Sequence, residues 1–212
     1  MPVLIKPNES KFTPAPNGPH PAACFRIIDL GTQDGSYQGK KNRKRKILIS
    51  WELFAEEKMS DGRPFIVGKT YTWSMSEKAG LRKDLESWRG KSFADADFDP
   101  KTGFKLQSIL GKPCLLNIRH DAAADGTVYA NVDSISRLPK QMTVGAPENA
   151  IMFVWLSAEE FNHDAFNMLS DRLKETIMRS PEYRAVVTGE DVETVQSTAT
   201  HPADDFEDSI PF

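Results

Sequence analysis

Between Gly39 and Ile47 the chain runs Lys40, Lys41, Asn42, Arg43, Lys44, Arg45, Lys46: six cations in seven residues. Charges of one sign at that density collect phosphates, because each contact releases counterions from a nucleic acid whatever its base sequence. Lys69, Tyr71 and Trp73 follow at alternate positions, with Trp51 and Phe54 shortly before them. Aromatic rings on an exposed sheet face stack bases without reading them, at about 1–3 kcal/mol per base. A charge run alone is an ordinary solvated segment; rings beside it favour single-stranded nucleic acid as the ligand. Trp51 shares its side of a strand with Ile47, Ile49 and Leu53, so core and surface are both open to it. Tyr71 and Trp73 share a side with Lys69, which favours an outward face, and Phe54 fits either.

Catalysis has thinner support. His120, Asp121 and Asp125 are close in sequence, and Glu52 sits on a strand, a set that could in principle hold a metal for phosphodiester hydrolysis. Asp125, however, precedes Gly126 and is explained by a turn, and no second histidine stands at ligand spacing. The sequence holds no phosphate-binding glycine loop, no dinucleotide fingerprint and no serine elbow. The expectation is a binding protein rather than an enzyme, with no cofactor and no metal.

A second group stands at the other end, in DDFEDSIPF. Asp204, Asp205, Phe206, Glu207, Asp208, Ile210, Pro211 and Phe212 combine acids with large apolar side chains in a segment too polar to build its own core. Such a peptide suits a partner's pocket with a basic rim. Net charge is −3 over 212 residues, but unevenly spread. Seven of the 30 acids and none of the 27 Lys and Arg lie from Gly189 onward, which leaves a body of net charge +4 and an acidic tail.

These groups need elements to hold them. ACFRIIDLG reads as a strand ending at Gly31, TQDGSYQG as a loop leading into the basic run, and ILISWELFA as a second strand by its alternation. Asp61-Gly62 is a turn pair before a third strand, FIVGKTYTWSM. Leu81, Leu85 and Trp88 form the apolar stripe of a short helix, with Ser76 to cap its start and Gly90 its end. CLLNIRH and TVYANVDSISRL are strands four and five, joined around Asp125-Gly126. Three strands, a helix and two strands is the order of an OB-fold, a mainly β, five-stranded Greek-key barrel with a helix between strands 3 and 4. Beyond Pro139, IMFVWL looks buried, Ser157 to Glu160 matches a capping box, and Phe166, Leu169, Leu173 and Ile177 have helical spacing. The expected organisation is an extended arm at 1–22, the OB domain at 23–140, a C-terminal extension with a helix at 141–187, and a disordered acidic tail at 188–212. Cys24 and Cys114 fit free thiols in a reducing cytoplasm, and neither a secretory leader nor a membrane span is expected.

DDFEDSIPF resembles the C-terminal tip of bacterial single-stranded DNA-binding proteins. The body resembles a family of phage-encoded single-stranded DNA-binding proteins, through SWEL (50–53), YTWS (71–74), EKAGLRKDLESWRGKSF (77–93), LGKPCLLNI (110–118) and RSPEY (179–183). The resemblance implies an OB-fold that coats single-stranded DNA in a bacterial cytoplasm during phage replication, recombination and repair. It also implies that the tip, Asp204 to Asp208 with Ile210, Pro211 and Phe212, docks replication and repair proteins, and it leaves homo-oligomerisation open. Two alternatives remain: a replication-initiation or recombination accessory factor using the same cleft, and a metal-dependent nuclease.

Overall fold

The computed structural model describes residues 13–37 and 39–189, and everything below concerns those residues. The tip from Asp204 to Phe212 and most of the expected arm and tail lie outside them. The fold is mainly β, with strands β1 (Gly18–Tyr37), β2 (Lys40–Leu53), β3 (Ile66–Thr72), β4 (Pro113–Ala122), β5 (Val128–Ser136) and β6 (Met152–Val154). Helix α1 (Gly80–Arg89) lies between β3 and β4 as expected, and α2 (His163–Asn167), α3 (Asp171–Met178) and α4 (Pro181–Thr188) follow β6. The six strands form one sheet in the order β3-β2-β1-β4-β5, with β6 parallel to the middle of β1. Its two end strands, β3 and β5, come back against each other without a hydrogen-bonded ladder between them.

β1 is the axis of the fold. Its first part, Gly18 to Ala23, pairs with β4; from Ala22 to Tyr37 it pairs with β2; and Arg26 to Ile28 pair with β6. The strand therefore begins inside the expected arm and runs six residues beyond Gly31. Two bulges, between Cys24 and Arg26 and between Asp29 and Gly31, bend it. The first explains why Cys24 and Ile27, three apart, face the same core. At the second, Gly31 has φ 68°, and a Cβ there would lie 2.4 Å from Cβ of Ser180, so glycine is needed both for conformation and for space.

Alternation along β1, β2 and β6 divides the apolar side chains between two cores. Ile27, Ile47, Ile49, Trp51 and Leu53 join α1's Leu81, Leu85 and Trp88 on the inner face. Ile28, Leu30, Leu48 and Val154 face the other way, under Phe166, Leu173 and Ile177 of the C-terminal helices. α1 ends at Gly90 in the left-handed conformation, as expected, but no side chain caps its start. The C-terminal extension holds three short helices instead of one. Ser157 to Glu160 form a turn in which Ser157 Oγ accepts from the Glu160 amide at 3.2 Å, and the first helix begins later, capped by Asn162. Pro181 sits at the first position of α4, where a missing N–H costs nothing, with Ser180 as its cap.

Candidate nucleic-acid interface

The basic run is not a loop. It forms the N-terminal half of β2 and pairs residue by residue with β1, from Thr32↔Arg45 to Tyr37↔Lys40. Gln33, Asp34, Gly35 and Ser36, expected as loop, are the partner strand, and Gly39 (φ 78°) precedes the start of β2. β3 leaves β2 at Lys46↔Thr72, with one further bond from the Trp73 amide to the Arg45 carbonyl at 2.7 Å. Past that point β1 and β2 continue as a two-stranded ribbon. Residues 32–46 carry six cations and one acid, Asp34.

Alternation splits those cations. Lys41, Arg43 and Arg45 share one face; Lys40, Lys44 and Lys46 share the other. Lys40, Lys41 and Arg43 are exposed, and Lys44 and Lys46 half-buried. Arg43 Nε lies 3.2 Å from Asp34 Oδ1, an exposed pair of small net worth that a phosphate can displace. Arg45 differs. It bonds both carboxylate oxygens of Asp29, through Nε at 3.3 Å and through Nη2. Asp29 is buried and also accepts from the amides of Gly31 at 2.9 Å and Leu156 at 3.2 Å. Burial works against the charge on Arg45, but the Asp29 bond and charge outweigh it, so its pKa is raised. Arg45 is thus a bracket joining β2, the second bulge and Leu156 just past β6, and its charge is already matched.

The guanidinium of Arg45 also lies over the Trp155 ring, 5.0 Å from its centroid. Trp155 meets Trp73 edge-on at 5.0 Å between centroids and 71° between planes, and lies parallel to Phe153 at 5.9 Å and 4°. Trp73 remains 36% exposed, and Phe153 and Trp155 are half-buried. A cluster of three rings thus lies at the base of the ribbon, on the face continuous with Arg45. β6 supplies Phe153 and the residue just after it supplies Trp155, because the alternation turns Met152 and Val154 to the helices and Phe153 and Trp155 the opposite way.

Other expected contacts sit elsewhere. Trp51 is fully buried against Trp88, at 6.1 Å between centroids, so it belongs to the core and leaves the candidate interface. Tyr71 is also buried, contrary to its expected outward face, and its hydroxyl donates to Asp84 Oδ2 at 2.8 Å. Burial first, then the Asp84 carboxylate, push its phenol pKa well above the ordinary range. Lys69 shares that carboxylate at 2.8 Å and fastens β3 to α1. Phe54 is half-buried at the end of β2, and its amide donates to the Pro21 carbonyl. Phe153 and Trp155 were missed in the sequence because IMFVWL reads as buried throughout; the signal available was the alternation of Phe153 and Trp155 with Val154.

The residues considered for metal chemistry do not converge. Glu52 is buried and accepts three bonds, from the amides of Glu148 and Asn149, each at 2.8 Å, and from Asn149 Nδ2 at 2.6 Å. His120 Nε2 lies 2.7 Å from the Ala15 carbonyl. Bonds from Asn131 and Arg119 hold the Asp121 carboxyl below its usual range, and the Thr127 amide does the same for Asp125. Among the described residues no three His, Cys, Asp or Glu side chains are placed to hold a metal ion. No described helix is long and apolar enough to cross a membrane. No protein-family model matches the chain, and no curated protein matches it in sequence.

Proposed function

We propose that this protein binds single-stranded DNA, coats it during phage DNA replication and recombination in the bacterial cytoplasm, and recruits replication and repair proteins through its acidic tip. The observation that carries the reading is the ribbon of cations rising from the Trp73–Trp155–Phe153 cluster. Phosphates follow the cations, chiefly Lys41 and Arg43 on the aromatic face, while bases stack on the rings at its foot. The strand order, with β3 returning to β5, supports an OB barrel open along one seam; in such folds the β2–β3 face and the loop between β1 and β2 are binding surfaces. Here a ribbon takes the place of that loop.

Fluorescence anisotropy of labelled oligo-dT, compared with a hairpin duplex and read with and without Mg2+, tests the proposal. Saturable binding that favours the single strand and leaves the oligonucleotide intact in Mg2+ is expected. Equal affinity for the duplex, or Mg2+-dependent shortening, would overturn it.

A further inference from the structure

β3 and β5 face each other across a seam that no ladder closes. The Leu53 amide donates to the Phe65 carbonyl at 2.9 Å, which fixes the alternation along β3. Phe65 and Val67 turn their backbone groups to β2, while Ile66 and Gly68 turn theirs to the seam. On the other side the Ala123 amide donates to the Thr127 carbonyl at 2.9 Å, so Tyr129 and Asn131 bond β4, and Val128 and Ala130 turn to the seam. Each of these open edges begins with an exposed apolar side chain, Ile66 at 44% and Val128 at 36%. An open apolar edge is a template for another strand, and folds generally cover it.

Between the first residues of the two strands lies a cavity of about 450 Å3, apart from the ribbon and the ring cluster. Met59, Phe65, Val67 and Tyr129 give it apolar walls. Its charged and amide side chains are already engaged. Arg63 pairs with Asp61 at 2.6 Å and Glu148 with Lys58 at 2.8 Å. Asn131 bonds Asp121 at 2.8 Å, and Asn149 bonds Glu52 at 2.6 Å. What remains is apolar wall and strand edge, which suit an uncharged, extended segment with branched side chains.

This chain contains such a segment, and its root is at the cleft. Thr13 and Ala15 line the cavity. Ala15 is buried, its carbonyl lies 2.7 Å from His120 Nε2, and the Pro16 carbonyl lies 2.9 Å from His20 Nε2, so the root is fixed there. Residues 1–12 precede it and include Val3, Leu4 and Ile5, then Pro7 and Asn8. Val and Ile favour a strand, and Pro with Asn favours a turn. Residues 6–12 span up to about 23–25 Å when extended, against about 7 Å for the edge from Ile66 to Gly68 at the rise of a strand. The segment therefore reaches the cleft with length to spare, at the high effective concentration a short tether gives.

We infer that Val3, Leu4 and Ile5 seat in this cleft of their own molecule, as a short strand on the free edge of β3 with side chains against Phe65, Ile66 and Tyr129. Seated there, the segment covers the open edge and keeps a second copy from pairing with it. The inference does not rest on nucleic-acid binding, and its test needs none.

A cysteine pair in the full-length protein supplies the test. Leu4→Cys with Ile66→Cys should be joined by a short bismaleimide in a product of monomer size; Cys24 and Cys114 are buried and stay unlabelled. Adding Val3→Asp with Ile5→Asp, outside the described body, should abolish the link. The same two aspartates in the otherwise native chain should speed hydrogen exchange of the Ile66 and Gly68 amides, read by NMR, and leave that of Val67, which bonds β2, unchanged. A link that survives the aspartates would show only that the tether brings the two sites near each other, and would overturn the inference. So would no link, a link found only in dimers, or exchange at Ile66 and Gly68 that the aspartates do not alter.

Discussion

Tyr71 near the end of β3 and Trp73 just past it are two residues apart, yet they have different work. Tyr71 lies within the span of α1 and is roofed by it; Trp73 lies one pair beyond the end of the β2–β3 ladder, where the roof stops. Trp73→Ala and Trp155→Ala should each weaken oligo-dT binding by about 1–3 kcal/mol if the rings stack bases, measured by anisotropy; Trp73→Ala should cost little thermal stability, and Trp155→Ala more, because that ring packs against the core and under Arg45. Tyr71→Phe should behave in the opposite way, losing about 1 kcal/mol of stability with its hydrogen bond and no affinity. Reversed outcomes would exchange the two assignments.

The thiols make a second prediction at this scale. Cys24 and Cys114 are buried free thiols, and burial pushes Cys24 up from 9.0 to about 12, with Cys114 raised likewise. The folded state keeps these protons where the unfolded chain gives them up. Their contribution to stability is therefore complete below about pH 9 and falls as pH rises towards 12. Thermal melts at about pH 8 and about pH 11 should show a steeper loss for the native chain than for Cys24→Ala with Cys114→Ala. Equal losses would mean that the thiols take no part.

Among the elements the ribbon decides most. Strand alternation gives it two unlike faces, so the six cations do not count equally. Lys41→Glu with Arg43→Glu, on the ring face, should weaken binding more than Lys40→Glu with Lys44→Glu. Each lost phosphate contact should flatten the log–log salt slope by about 0.7, read from anisotropy titrations at several salt concentrations. Equal effects from the two pairs would show that charge acts through the general field and not through one face. Gly31 sets the direction of the ribbon. Gly31→Ala forces a left-handed Cβ at about 1–2 kcal/mol and drives it into Ser180, so a clearly lower melting temperature is expected.

Much of the fold was legible because short-range rules govern it. The stripe Leu81–Leu85–Trp88, the stop at Gly90 and the strand after Asp61-Gly62 all follow from period and turn chemistry. The ribbon was not legible, because Gly31 reads as a stop and TQDGSYQG as a loop, when Gly31 sits at a bulge and Thr32 to Tyr37 continue the ladder. What overrides local propensity there is long-range pairing with β2, together with Asp29, Arg45 and Glu182. Glu182 accepts from the Thr32 amide at 2.8 Å from 150 residues away, and no window of sequence contains that contact. Of the candidate site, the cations and Trp73 were visible by composition. Phe153 and Trp155 were hidden because β6 lies about 80 residues beyond Trp73.

Taken as a whole molecule, the protein joins a positively charged body to an acidic segment that lies outside the described residues. The central proposal concerns the body: that single strands bind where the ribbon meets the three rings. The chain has four tryptophans, and the claim separates them. Trp51 and Trp88 are buried away from the ribbon, while Trp73 and Trp155 form the proposed floor for bases. Titration of intrinsic fluorescence with oligo-dT, at low and at high salt, therefore tests it most directly. The account predicts saturable quenching that weakens with salt, is halved in Trp73→Phe or Trp155→Phe and is nearly abolished in the double variant. Undiminished quenching in that double variant, or none in the native chain at low salt, would contradict it.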